Sequence, residues 1–249
     1  MGNDNKQTDF LAGGEQTLNN TGYMTGSLDP YSQEFVEYAA KTSGVVADIG
    51  ACYGIAVIPA LARGARVIAV DNEPEHLKIL RSRVSKNDLP CLQCKVGTLP
   101  NEINFDNESL SAILCCRVLH LLKGEDVEKS LRNMYDWLEK NGKLFLIVDS
   151  PYARYSDKLL QEFTPIYAQR KKQGVKWPGF IPNLKYYLQE GFRRFAPEFV
   201  HLFDGDVLAE ACINCGFKIE KQGFIARPDY PQSLQYDGRE NAGVVALKI

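Results

Sequence analysis

The sequence predicts an α/β fold: a doubly wound, mostly parallel sheet of seven strands, with a C-terminal antiparallel hairpin and an aromatic-rich helical lid. Three observations carry that prediction. Short apolar runs bounded by turn residues alternate with helical stretches from residue 45 to residue 149, as in parallel strands joined by crossover helices. The stretch Val45–Asp71 reads as strand, glycine turn, helix and strand, and it ends on an acid. The alternation then stops over Ser150–Phe203, after which one helix and two strand-like runs complete the chain.

In chain order, residues 1–20 are polar and read as a mobile tail, with Thr21–Gly26 a loop. Asp29 is an N-cap and Pro30 a first helical residue for a helix to about Lys41, packed through Phe35, Val36, Tyr38 and Ala39. Val45–Asp48 opens as a strand buried on both faces. Gly50 and Gly54 bracket a turn, and Ile55–Ala62 forms a helix that Gly64 stops. Pro59 inside it points to a kink or a late start. Arg66–Val70 is the second strand, with Asp71 at its end. Asn72–Val84 follows as a helix with Leu77, Leu80 and Val84 facing inward, and Leu92–Val96 as a mixed edge strand. Leu110–Cys116 is the fourth strand and Arg117–Leu122 a turn or short helix. Gly124–Glu139 is a helix striped by Val127, Leu131, Met134, Tyr135 and Leu138, and Asn141-Gly142 leads into the fifth strand, Lys143–Asp149. Ser150–Phe203 contains twelve aromatic residues and no alternation. Asp206–Cys215 is a helix ended by Gly216, and Phe217–Ile225 pairs with Ala242–Ile249. Residues 21–249 are expected to form a single domain, with 150–203 an insertion over the acceptor site.

Composition narrows the class. A chain of 249 residues with 45% hydrophobic and 24% charged residues has the size and balance of one ordinary globular domain. The net charge of −2 and two short basic runs, Arg170-Lys171-Lys172 and Arg193-Arg194, offer no basic face to a nucleic acid. No apolar run approaches the roughly 20 residues that span a bilayer. The start, M-G-N-D-N-K, has no apolar signal core, and Lys6 stands where a myristoylation signal wants Ser or Thr. An odd count of seven cysteines without such a signal fits reduced thiols in the cytoplasm. The pairs Cys91/Cys94 and Cys212/Cys215 are too distant in sequence for a zinc ribbon and belong at opposite sheet edges, so no metal is expected.

The first turn decides the ligand. A pyrophosphate needs bare backbone at G-x-G-x-x-G, yet here Cys52 holds the second glycine position and Ile55 the third. Asp48 at the first strand end would repel phosphate and attract a cation, while Asp71 suits ribose hydroxyls. A ligand with an ammonium group and a ribose but no phosphate satisfies both acids, and S-adenosylmethionine (SAM) is such a ligand. D-I-G-A-C-Y-G resembles the D/E-x-G-x-G-x-G motif of class I SAM-dependent methyltransferases. The runs I-L-C-C-R-V-L-H-L-L and L-E-K-N-G-K-L-F-L-I are similar to that family's later motifs, and the closing hairpin also matches. The resemblance covers about Tyr31–Asp149 and Asp206–Ile249.

That resemblance implies SAM as cofactor and S-adenosylhomocysteine (SAH) as product. It places Asp48, Gly50, Ala51, Cys52, Tyr53 and Gly54 at the first turn, Asp71 and Asn72 at the ribose, and Gly97, Thr98 and Leu99 at the adenine. Cys116 and Arg117 would border the methionine part, and Tyr23 would come from an upstream segment that this family folds over SAM. The chain departs from the pattern twice: Cys52 replaces the middle glycine, and Gly97-Thr98 stand where an acid often meets the adenine amine.

For the acceptor side, His120 follows the fourth strand and could serve as general base, with a structural histidine as the competing reading. His201 is a second candidate, and His76, beside acids early in a helix, is expected to be solvated. Asp149-Ser150-Pro151-Tyr152 resembles the [D/N]-P-P-[Y/F] box of amino-methyltransferases but follows the wrong strand. Tyr152 is retained as an acceptor-pocket residue. The aromatic insertion should cover the strand ends, exclude water and shape an apolar or aromatic acceptor site. The expected function is transfer of a methyl group to a small molecule by in-line displacement. The alternatives are a protein or RNA methyltransferase with an open acceptor face, and a non-catalytic SAM/SAH- or nucleotide-binding module.

Overall fold

The structure is a computed structural model that describes residues 14–19, 23–188, 190–193 and 196–249. Its first half contains β1 (Glu15–Gln16), β2 (Tyr23–Met24), α1 (Pro30–Ala39), β3 (Val45–Ile49), α2 (Val57–Leu61), β4 (Arg66–Asp71), α3 (Pro74–Arg83), β5 (Leu92–Val96) and β6 (Leu110–Cys116). There follow α4 (Gly124–Trp137), β7 (Leu138–Asp149), α5 (Asp157–Lys172), β8 (Phe180–Ile181), α6 (Glu190–Arg193), β9 (Val200–His201), α7 (Gly205–Ile213), β10 (Phe217–Ile225) and β11 (Asn241–Lys248).

The central sheet has the order β10-β11-β7-β6-β3-β4-β5. β3, β4, β5, β6 and β7 run parallel. β11 lies antiparallel between β7 and β10, so the expected hairpin is present and closes one edge. β3 is flanked by β4 and β6, which makes the crevice above its C-terminal end the switch point of the sheet, where ligands bind in open α/β folds.

Both faces are covered. α1, α2 and α3 bring Phe35, Val36, Val57, Leu61 and Leu80 onto Val46, Val67, Leu114 and Phe145. α4 and α7 bring Val127, Leu131, Met134, Leu208 and Cys212 onto Ile113, Leu144, Leu146 and Val244 on the other face. Each fully buried Leu, Val or Phe stabilises the fold by roughly 1.5–3 kcal/mol. Asp29 caps α1 as expected, accepting from Tyr31 N at 2.9 Å and Ser32 N at 3.1 Å.

Three boundaries differ from the sequence expectation. α2 starts at Val57, so Pro59 falls in its first turn, where its missing N–H has no helical partner to lose. β7 starts at Leu138, because that fully buried side chain pairs across to Leu110; an irregularity absorbs Asn141, at φ +64°, before pairing resumes at Lys143. The expected tail is also shorter. β1 pairs with β2, Arg83 holds Glu15 at 2.6 and 2.7 Å, and the Tyr53 hydroxyl donates to Gln16 O at 2.8 Å. Residues 14–19 are therefore built onto the domain; residues 1–13 lie outside the described residues.

The insertion is a small cap with its own core: Leu159, Phe163, Tyr167, Ile181, Leu184, Val200 and Leu202 pack together. Most of the aromatic density is used there and in a stack of Trp177, Phe180, His201 and Phe203. The side chain of Phe192 and the whole of Phe195 fall outside the description. Cys94 lies on the edge strand β5, whereas Cys212 belongs to α7, which packs on β10 and β11 at the opposite edge. Among the described residues, no helix is long and apolar enough to cross a membrane.

Candidate active site

The turn after β3 is shaped by close approach. Gly50 has φ +85°, and a Cβ there would meet Val118 Cγ2 at 2.3 Å. Gly54 has φ +90°, and its Cβ would meet Leu80 Cγ at 2.8 Å, so this glycine serves the packing of the turn on α3. Cys52, at the position of the replaced glycine, also adopts a left-handed conformation, φ +47°. Its N–H donates to Asp71 Oδ2 at 2.8 Å, which ties the turn to the end of β4. Burial, reinforced by the Asp71 charge, pushes the Cys52 thiol up to about 12, so it is a neutral packing group and not a nucleophile.

Asp71 is held on three sides. Oδ1 accepts from Glu73 N at 2.9 Å and lies 3.0 Å from His76 Nδ1. His76 is 1% exposed, not solvated as expected: α3 turns it inward beneath Asp71, where Tyr53 packs against its ring at 5.0 Å.

A cavity of about 380 Å³ opens at the C-terminal ends of β3, β4 and β6. Asp48, Gly50, Ala51, Cys52, Asp71, Asn72, Gly97, Thr98, Leu99, Cys116 and Arg117 all line it, so the expected cofactor residues converge. Tyr53 and Gly54 stand behind its wall, while Tyr23 is described only through its β2 pairing with Gln16. Sequence reasoning missed Thr17, Asn19 and Thr25 from the N-terminal segment, Ile103, Leu121 and Leu122, and Pro197 and Phe199 from the cap. The D-x-x-x-x-H spacing from Asp71 to His76 was the available signal for that missed contact.

Burial, and then the charge of Asp71, pushes the Asp48 carboxyl from 3.8 up to about 7. The cavity thus presents two neighbouring acids, one of which takes on its charge only around neutral pH. The donor set fits SAM: Asp48 for the ammonium side, Asp71 for the ribose, Leu99 and Ile103 as apolar walls. SAM affinity is expected to rise as pH increases through about 7 and then level off, and Asp48→Asn should remove that dependence in titration calorimetry. Because the folded value lies above the ordinary one, the ligand-free fold keeps a proton between about pH 4 and 7 that the unfolded chain has released. Its stability should fall as pH rises across that window. Asp71→Ala is expected to weaken SAH binding by roughly 1.5–3 kcal/mol, tenfold or more, since charged hydrogen bonds are lost. Unchanged affinity would remove Asp71 from the ribose.

At the acceptor end, His120 lies in a 3₁₀ turn, Leu119–Leu121, directly after β6. It is 6% exposed and lines the cavity. Its Nε2 is 3.9 Å from Asp149 Oδ2, and among the described residues Nδ1 has no hydrogen-bond partner. Burial pushes its imidazole below the usual histidine range, so the ring is neutral and able to accept a proton. Asp149 is the hub behind it: Asn241 Nδ2 donates to Oδ1 at 2.7 Å, Arg117 Nε lies 3.3 Å away, and the Tyr155 hydroxyl donates to Oδ2. Burial alone would raise this carboxyl, but Arg117, His120 and Tyr155 hold it at about 2.

The other two acceptor-side candidates lie elsewhere. Tyr152 packs against Phe224 of β10 at 5.5 Å, under the Arg239 guanidinium at 3.6 Å, because the chain leaving Asp149 turns toward the β10 edge. His201 is fully buried in the cap's aromatic stack, with Nδ1 3.3 Å from Leu122 O, and burial pushes it down to about 4. Neither lines the cavity. Of the cap's many aromatics, Phe199 is the one among the described residues that reaches it.

Residues 47–146 match the family model of the methyltransferase domain. No curated protein is similar enough in sequence to match. A SAM-dependent methyltransferase from Methanosarcina mazei superposes with a TM-score of 0.63 at 13% identity, covering 90% of this chain and 99% of the other. One from Mesorhizobium loti gives 0.61 at 16% identity, covering 87% and 97%. The glycopeptide N-methyltransferase MtfA with SAH bound gives 0.58 at 14% identity, covering 89% and 91%. The fold is that of the class I methyltransferases, and the matched stretch runs from within β3 through the glycine turn, β4, β5 and β6 into β7.

Proposed function

We propose that this chain is a SAM-dependent methyltransferase that acts on a small-molecule acceptor, with His120 as the group that receives the acceptor's proton. One observation supports the reading: the cavity lined by the expected cofactor residues is also lined by the apolar side chains Leu121, Leu122, Pro197 and Phe199, the last two from the cap. Such an apolar lining beside the cofactor residues suits a compact substrate.

When bound, SAM supplies an electrophilic methyl group for in-line displacement by the acceptor's lone pair. The chain's own residues position and desolvate. Asp48 attracts the ammonium side and Asp71 the ribose, which fixes the methyl direction relative to the acceptor end. Alignment of this kind is worth roughly 7–11 kcal/mol in favourable cases. The cap residues Pro197 and Phe199 exclude water, and neutral His120 takes the proton that an oxygen or nitrogen acceptor sheds. The seven free thiols support a cytoplasmic setting.

Incubation with SAM labelled on the methyl group, together with separated small-molecule, protein and RNA fractions, tests the reading. Label is expected in the small-molecule fraction. Label confined to protein or RNA would replace the acceptor class, and SAH binding without transfer to any fraction would leave a binding module.

A further inference from the structure

His76 takes no part in the chemistry proposed above, yet both of its ring nitrogens are engaged. Nε2 receives the Leu18 backbone N–H at 2.9 Å, and Nδ1 lies 3.0 Å from Asp71 Oδ1. A backbone amide can only donate, so Nε2 carries the lone pair. The neutral ring then has its proton on Nδ1 and gives it to the carboxylate. One buried side chain thereby joins the acid at the end of β4 to a residue 58 positions upstream.

The upstream segment is part of the cofactor site, since Thr17 and Asn19 line the cavity. Asn19 Nδ2 also donates to Asn72 Oδ1 at 3.0 Å, beside Asp71. Tyr53 packs against the His76 ring and donates to Gln16 O, and Arg83 lies over Tyr53 while holding Glu15. Every contact converges on placing Glu15–Asn19 against the ribose side of the cavity. His76 reaches both that segment and Asp71.

We propose that His76 is a positioning residue for the cofactor: its Nδ1–H aims the Asp71 carboxylate and its Nε2 anchors Leu18, so that ribose binding and docking of the N-terminal segment form one unit. This rests on the SAM assignment. A histidine that merely filled space could be exchanged for another ring. One that bridges two polar partners cannot, because phenylalanine serves neither and glutamine at most one.

Four measurements on the full chain test this. Long-range ¹H–¹⁵N spectra of the wild type should show His76 as the neutral Nδ1–H tautomer, and the Nε2–H tautomer would overturn the proposal without any variant. His76→Phe should raise the KM for SAM and the SAH Kd at least tenfold, with kcat at saturating SAM changing less than twofold, and should speed hydrogen exchange at the Leu18 amide. Leu18→Pro removes the donated N–H while changing a side chain that is 51% exposed, and should also weaken SAH binding. The double variant should bind SAH no more than twofold worse than His76→Phe alone. Additive losses, or unchanged SAH affinity in either variant, would overturn the coupling. If His76→Phe does not fold, His76→Gln takes its place. A wild type that fails to bind SAH would refute the SAM assignment instead, while the tautomer and the Leu18 exchange rate would still decide whether the His76 bridge exists.

Discussion

Asp149→Ala is expected to destabilise the fold by about 3–5 kcal/mol, because it removes the counter-charge of a partly buried arginine and a buried acceptor shared by two further donors. Arg117 Nε, Asn241 Nδ2 and the Tyr155 hydroxyl all converge on this one carboxylate, which is 3% exposed. Asn241 in turn accepts from Arg227 Nη1 at 3.0 Å and from the Tyr230 hydroxyl at 3.1 Å, so the loss spreads into the β10–β11 connection. Asp149→Asn keeps the shape but not the charge and should cost less. Urea unfolding of the three proteins gives the comparison. The pH dependence has a defined sign. The folded carboxyl sits at about 2, below its ordinary 3.8, so its contribution is present above about pH 4 and is lost as pH falls toward 2. Wild type and Asp149→Asn should therefore converge in stability in that window.

His120→Gln is expected to lower kcat by roughly 10²–10⁴-fold for an acceptor that must shed a proton, the usual worth of a positioned general base. The KM for SAM should change little, since the proposed cofactor contacts are Asp48 and Asp71. Wild-type kcat should rise with pH and reach its plateau below the ordinary histidine range, because burial lowers the imidazole. The variant should lack that limb. An unchanged kcat at all pH values would return His120 to a structural role. Glutamine retains polarity and volume, so a collapse of the Leu119–Leu121 turn would show separately as lost thermal stability.

The convergence of the strand-end residues on one cavity was legible because its information is local. Asp48, Gly50, Cys52 and Asp71 each lie at or just past a strand end, and strand–turn–helix geometry alone aims them into the crevice of the sheet. The acceptor end was much less so. The aromatic insertion read as pocket lining, whereas Phe163, Tyr167 and Phe203 are spent on packing and Phe199 alone among the described residues reaches the cavity. Composition announces that such rings will be buried; it does not say against what. Tyr152 and His201 were misplaced for the same reason, since the direction of the chain after Asp149 depends on the cap's own core.

By itself the sequence determined the order of elements, the parallel sheet with its antiparallel closure, and the pair of acids that stand at the ends of the first two parallel strands. Periodicity, glycine positions and charge act over a few residues, and those suffice for a strand, a turn and what stands at its end. The tertiary structure alone decided that His76 joins Leu18 to Asp71, that Asp149 gathers Arg117, Tyr155 and Asn241 behind His120, and that Pro197 and Phe199 of the cap line the cavity. Asp149 and Asn241 are 92 residues apart in the chain, and which polar atom meets which across such a distance is set by sheet register and the packing of segments.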